Sequence, residues 1–171
     1  MKIRNKELKT ERLILKAIED DSKLDLIAIV TDPLVTKTYM IPDFNSEEEK
    51  VAFFLRLKTV SENPDRFVYG IYLSHTLIGF LNEVSKEEDT IEVGYSLSPK
   101  YWNKGYATEA LSCAIQELFR IGYNHVKAAH FIENKASGRV MQKAGMHLMD
   151  EVEDIQYRGS VHHCIYYQID K

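Results

Sequence analysis

The run Tyr101-Trp-Asn-Lys-Gly-Tyr-Ala-Thr-Glu-Ala110 joins two segments of different periodicity. Before it, Thr90–Leu97 alternates like a strand: Ile91, Val93, Tyr95 and Leu97 share one face, and Glu92, Gly94 and Ser96 share the other. After it, Ala107, Ala110, Leu111, Ala114, Ile115, Leu118 and Phe119 recur at helical spacing up to a natural stop at Gly122. With the strand-like run His125–Ile132 that follows, this is a βαβ unit. A glycine and small residues at the first turn of a helix leave backbone N–H groups uncovered. The helix dipole adds positive potential there, so the turn suits a phosphate or pyrophosphate. The same residues would also serve a helix that merely needs a tight start.

Around this unit the chain alternates between helix and strand signals. Glu11–Ala17 is expected as a first strand around Leu13 and Leu15, and Asp20–Thr31 as a helix that stops before Pro33. Ser46 with Glu49 forms a capping-box pair that opens a second helix through Lys58, ended by Asn63-Pro64. Phe67–Leu73 and Leu77–Val84 are expected as a hairpin about Ser74-His75-Thr76, followed by a polar turn over Ser85–Asp89. Asn134–Lys143 is expected as a short helix ended near Gly145, and Met146–Val152 and Val161–Ile169 as closing strands. The order predicts an α+β fold: one domain over residues 1–171, with a mixed, mostly antiparallel sheet and helices on its faces.

Composition narrows the partners. A net charge of -4 argues against nucleic acid, since phosphate backbones want a basic surface. The charged stretch Met1–Glu11 has no apolar core, and the apolar run Leu26–Val30 is too short to span a bilayer. Cys113 and Cys164 form neither a metal-ligand spacing nor a disulfide framework. No secretory signal, no membrane partner, no metal and a cytoplasmic location are therefore expected. A homodimer is left open. Acidic clusters such as Glu87–Asp89 and Asp150–Asp154 are expected as solvated surface; at the rim of a site they would favour a cationic substrate such as an amine.

The stretch from Glu92 to Ala110, followed by Asn134-x-x-Ser137 and Lys143-x-Gly145, resembles the GCN5-related N-acetyltransferases, and among them the ribosomal-protein N-terminal acetyltransferase group (RimJ/RimL type). Thr10-Glu-Arg-Leu-Ile-Leu and Ile78-Gly79 also match that group, so the likeness spans nearly the whole chain and is weakest over residues 20–66. The resemblance implies acetyl-coenzyme A (acetyl-CoA) as cofactor, its pyrophosphate on an Arg/Gln-x-x-Gly-x-Gly/Ala turn. Here that turn falls on Trp102-x-x-Gly105-x-Ala107, with Trp102 in the usual first place. The amides of Lys104, Gly105, Tyr106, Ala107 and Thr108 would hold the pyrophosphate, and the Thr108 hydroxyl would add to them.

Acetyl transfer to an amine makes three demands: a base for the amine proton, donors for the developing oxyanion, and a proton for the departing thiolate. The strand end Ser96–Ser98 would splay from the next strand, letting an extended pantetheine arm pair with exposed backbone. The amide of Leu97 would then face the thioester oxygen. Glu92, acting through water, is the candidate base; its plain alternative is a carboxylate on a wet sheet face. The tyrosine that many family members carry seven positions after the helix-opening asparagine is Met141 here. By resemblance Ser137 serves the sulfur and Asn134 the pantetheine arm, although both are also good helix-start residues.

Other groups rank lower. His162-His163-Cys164 cannot chelate as a set, because consecutive strand residues face opposite ways, and strand surface is the expected place for it. Tyr39, Phe44 and Tyr69 are candidates to line an acceptor site. The expected function is direct acetyl transfer from acetyl-CoA to a primary amine, a peptide N-terminus by resemblance. A small amine such as a polyamine or an amine-bearing antibiotic is the alternative, as is an inert acyl-CoA-binding module.

Overall fold

A computed structural model describes residues 3–171. Met1 and Lys2, the start of the charged N-terminal stretch, lie outside the described residues. Eight strands form one sheet: β1 (Glu7–Lys9), β2 (Leu13–Lys16), β3 (Val68–Leu73), β4 (Thr76–Glu87), β5 (Thr90–Leu97), β6 (His125–Phe131), β7 (His147–Tyr157) and β8 (Ser160–Asp170). Their order is β1-β2-β3-β4-β5-β6-β8-β7, and every neighbouring pair is antiparallel except β5–β6. The expected α+β fold and its βαβ unit are both present.

The helices cover both faces. α4 (Tyr106–Ile121) and α5 (Lys135–Lys143) pack on one side around Leu111, Ala114, Leu118, Met141 and the strand residues Ile91, Val93 and Val126. α1 (Lys23–Thr31), α2 (Pro33–Thr36) and α3 (Glu47–Glu62) cover the other side around Leu26, Val30, Phe54, Tyr72 and Phe80. Among the described residues no helix is long and apolar enough to cross a membrane.

Several expected boundaries shift for physical reasons. Glu7–Lys9 is a short edge strand that only backbone pairing to β2 defines, since Leu8 alone of its side chains is buried. The helix expected over Asp20–Thr31 is a 3₁₀ turn at Asp20–Ser22 followed by α1. α1 stops at Thr31, before Pro33 as expected, and Pro33 then opens α2 at N1, where its missing N–H costs no bond and the Asp32 side chain accepts from Leu34 N. The polar run Ser85–Asp89 is largely strand rather than turn. β4 continues to Glu87, pairs with Thr90, and leaves only Glu88 and Asp89 as a hairpin turn, Glu88 at φ 46°. The capping box holds with one change: Ser46 accepts from Glu49 N (3.2 Å), but the Glu49 carboxylate returns to Asn45 N (2.6 Å).

Candidate active site

β5 and β6 pair only at Thr90–His125, Ile91–Val126 and Glu92–Lys127, and beyond Glu92 they diverge. On the far side of β5, Ser98 N donates to Ile78 O (2.8 Å). In an antiparallel ladder the hydrogen-bonding residues alternate, so the residue between Ser96 and Ser98 turns its amide away from β4. That residue is Leu97, and its N–H points into the gap. The Leu97 carbonyl accepts from the Trp102 indole (2.8 Å), which closes the end of the strand.

The gap opens into a cleft of about 820 Å³ whose lining includes Leu97, Trp102, Gly105, Tyr106, Ala107, Thr108, Asn134 and Ser137. Gly105 is the N-cap of α4 at φ 82°, with no side-chain cap, and the first helical bond runs from Glu109 N to Gly105 O (3.0 Å). The amides of Tyr106, Ala107 and Thr108 therefore precede the ladder and have no acceptor among the described residues. Behind the turn, Arg12 donates to Lys104 O (3.0 Å), pairs with Glu109 (2.7 Å) and lies 4.5 Å over the Tyr106 ring. Burial pushes the Glu109 carboxyl up, but the Thr10 hydroxyl and the Arg12 amide and guanidinium outweigh it and hold it below its usual range.

Across the cleft, Asn134 caps α5: its side-chain oxygen accepts from Ser137 N (3.2 Å). The Ser137 hydroxyl lies 2.8 Å from the Tyr95 hydroxyl, which also reaches Ser137 O (3.1 Å). Tyr95 is a site residue that the sequence hides, because its position in the apolar row of β5 marks it only as core.

Two expected residues stand outside the lining. Lys104 folds back, its Nζ donating to Lys100 O (3.0 Å) while its own carbonyl is engaged by Arg12. Glu92 is half-buried on the face it shares with Gly94, two residues short of the gap, and accepts from the Ser85 hydroxyl (3.2 Å). Burial pushes its carboxyl up, the Ser85 hydrogen bond opposes this, and the nearby Glu153 charge adds to the rise.

The opposite side of the cleft is aromatic. Tyr39 lies against Gly94 and Phe80 and donates to Asn82 Oδ1 (2.6 Å). Phe44 instead packs on Phe53, and Tyr69 is fully buried with its hydroxyl on Asn5 O, so of the three aromatic candidates only Tyr39 lines the cleft. His162 is not plain strand surface. It lines the cleft, stacked on Phe131 with centroids 4.4 Å apart, its Nδ1 3.5 Å from Glu133. His163 faces solvent beside Asp154 and Cys164 is buried, so the three do not converge. The hairpin carrying His162 is tied down at its tip. The Tyr157 hydroxyl donates to Thr36 O (2.7 Å) and accepts from Ile41 N (3.3 Å), and Arg158 pairs with Asp43 (2.8 Å).

The family model described as an acetyltransferase (GNAT) domain matches residues 12–147. The chain belongs to the GNAT acetyltransferases. This GNAT chain is 26% identical over 157 residues to the uncharacterized N-acetyltransferase YoaA of Bacillus subtilis, covering 89% of each. A GNAT-family acetyltransferase structure from Bacillus anthracis superposes with a TM-score of 0.82 at 26% identity, over 96% of this chain and 98% of that one. RimL, a ribosomal L7/L12 alpha-N-protein acetyltransferase solved with coenzyme A, shares the fold with a TM-score of 0.82 at 17% identity, over 99% and 98% of the two chains. The matched region contains the splayed β5, the Gly105 turn and Ser137, so most of the cleft lies within the GNAT domain, while His162 lies beyond it.

Proposed function

We propose that this acetyltransferase acetylates the N-terminal amine of a peptide, transferring directly from acetyl-CoA with no acyl-enzyme stage. Acetyl-CoA supplies an activated acetyl thioester carried on a long arm with a pyrophosphate. The cleft fits such a group. Uncovered amides of Tyr106, Ala107 and Thr108 suit the pyrophosphate, and the divergent strands leave backbone for the arm.

In this reading each residue has one task. The Leu97 amide donates to the thioester oxygen as it gains negative charge. With its oxygen spent on capping, Asn134 offers its NH₂ to the arm. Glu92 takes the amine proton through an intervening water, because its carboxyl stands outside the cleft lining. As the new C–N bond forms and the C–S electron pair moves to sulfur, Ser137 gives its hydroxyl proton to that sulfur. The proton lost by the amine balances the one gained, and water in the open cleft returns a proton to Ser137.

The carrying observation is the inward-facing Leu97 amide on the same cleft as the uncapped turn. For the acceptor, support comes from the likeness to the ribosomal-protein group and from the Glu133 carboxylate beside His162, which suits a cationic amine. The test is thiol release from acetyl-CoA with a panel of peptides of varied first residue, spermidine and an aminoglycoside. Peptide-dependent release is the expected result. Release with spermidine or the aminoglycoside alone would replace the peptide by a small amine, and coenzyme A binding without release on any amine would mean an inert module.

A further inference from the structure

The hydroxyl of Tyr95 belongs to no task assigned so far. It sits on β5 at the edge of the split, on the face covered by α4 and α5, and it lines the cleft together with Ser137. Two of its contacts reach the same residue: 2.8 Å to Ser137 Oγ and 3.1 Å to Ser137 O. A phenol has one proton and these are two acceptors, so the pair has two arrangements. When Tyr95 donates to the carbonyl, the Ser137 proton is drawn onto the phenol oxygen. When Tyr95 donates to Oγ, the Ser137 proton is released toward the cleft.

We propose that Tyr95 is the positioning residue that holds Ser137 for proton delivery, donating to Oγ while the Ser137 proton is handed to the leaving sulfur. The inference rests on the assignment of Ser137 to the sulfur. The step balances within the transfer already described. The C–S bond breaks with its pair on sulfur, the Ser137 proton forms S–H, the Tyr95 proton shifts along its hydrogen bond to Oγ, and water in the cleft returns a proton to the phenol. Burial pushes the Tyr95 phenol up, so it carries its proton as the transfer begins. The tyrosine missing at Met141 is thus matched by one on the neighbouring strand, acting through a serine rather than on the sulfur directly.

The experiment is a double-mutant cycle of Tyr95→Phe and Ser137→Ala in the full chain. Thiol release is read with the amine panel, coenzyme A affinity by calorimetry, and folding by thermal melting. Tyr95→Phe is expected to lower kcat about tenfold with coenzyme A affinity unchanged, the scale of a lost hydrogen bond to a charged group. Ser137→Ala is expected to cost about a hundredfold, and the double variant no more than Ser137→Ala alone. Full activity of Tyr95→Phe beside an impaired Ser137→Ala would overturn the role of Tyr95 and leave that of Ser137 standing. Losses that multiply would also overturn it, since Tyr95 would then act on its own. An unimpaired Ser137→Ala would remove the underlying assignment. Should Tyr95→Phe not fold, 3-fluorotyrosine at position 95 keeps the ring and makes the hydroxyl more acidic. A changed kcat at constant coenzyme A affinity supports the role, and an unchanged one rejects it.

Discussion

At Glu92 stability and chemistry pull in opposite directions. Half-burial favours its neutral form, so its folded pKa lies above the ordinary 4.5. The favourable contribution of such a group is full below about pH 4.5 and is lost as pH rises through the folded value. Glu92→Gln should therefore melt higher than the parent at pH 8, with the gap closing toward pH 4. If Glu92 is the base, the same variant loses turnover by about a hundredfold or more, and parent activity falls as pH drops through the raised pKa. Higher melting with full turnover would leave Glu92 a wet-face carboxylate. Gly105 is the other decisive residue. Its φ of 82° costs an L side chain about 1–2 kcal/mol, and a Cβ there would lie 3.2 Å from Arg12 Nη2. Gly105→Val should weaken coenzyme A binding by at least about tenfold, read by calorimetry.

Among the elements, β4 leaves β5 no room for a side chain at Gly79. A Cβ at that position would lie 2.2 Å from Ser96 O and 2.4 Å from Leu97 Cδ2. Gly79→Ala should destabilise the fold by about 1–3 kcal/mol in a urea titration. It should also lower turnover by displacing the Leu97 amide. The same scale explains what the sequence could disclose. Ser46, Gly105 and Gly122 announce helix ends because caps are local chemistry, and all three are where the pattern puts them. β1 and the outer half of β4 are held by backbone pairing with most side chains in water, so too few apolar residues mark them. Pro33 marks the stop of α1 as expected but hides the start of α2, because a helix stop and a helix start use the same residue. The Tyr95–Ser137 pair and the place of His162 arise only when β5, α5 and β8 meet, and no spacing within one segment records that.

At the scale of the whole molecule, the aromatic side of the cleft, where the proposed acceptor would enter, is tied by a clasp between distant segments. Tyr157, on the β7–β8 hairpin, is the hinge pin that holds residues 36–41 in place. Tyr157→Phe should leave global stability within about 1 kcal/mol of the parent while hydrogen exchange at Ile41 speeds up several-fold. Its KM for the acceptor should rise more than its KM for acetyl-CoA. Equal effects on both would mean that the clasp supports the sheet as a whole.

A sheet that opens in its middle has four edges rather than two. β1 and β7 are its outer margins, but β5 beyond Glu92 and β6 beyond Lys127 are inner ones that border the cleft. Unpaired strand edges are templates for any extended chain, including a second copy of the same protein. In the proposed binding mode the cofactor arm is the segment that lies between the inner pair. Heated without coenzyme A, the protein should aggregate at a lower temperature than with it, by light scattering, and a hundredfold excess over Kd should add about 2.7 kcal/mol to its stability. The opening proposed to admit the donor is also the place where β5 and β6 leave extended backbone without a strand partner.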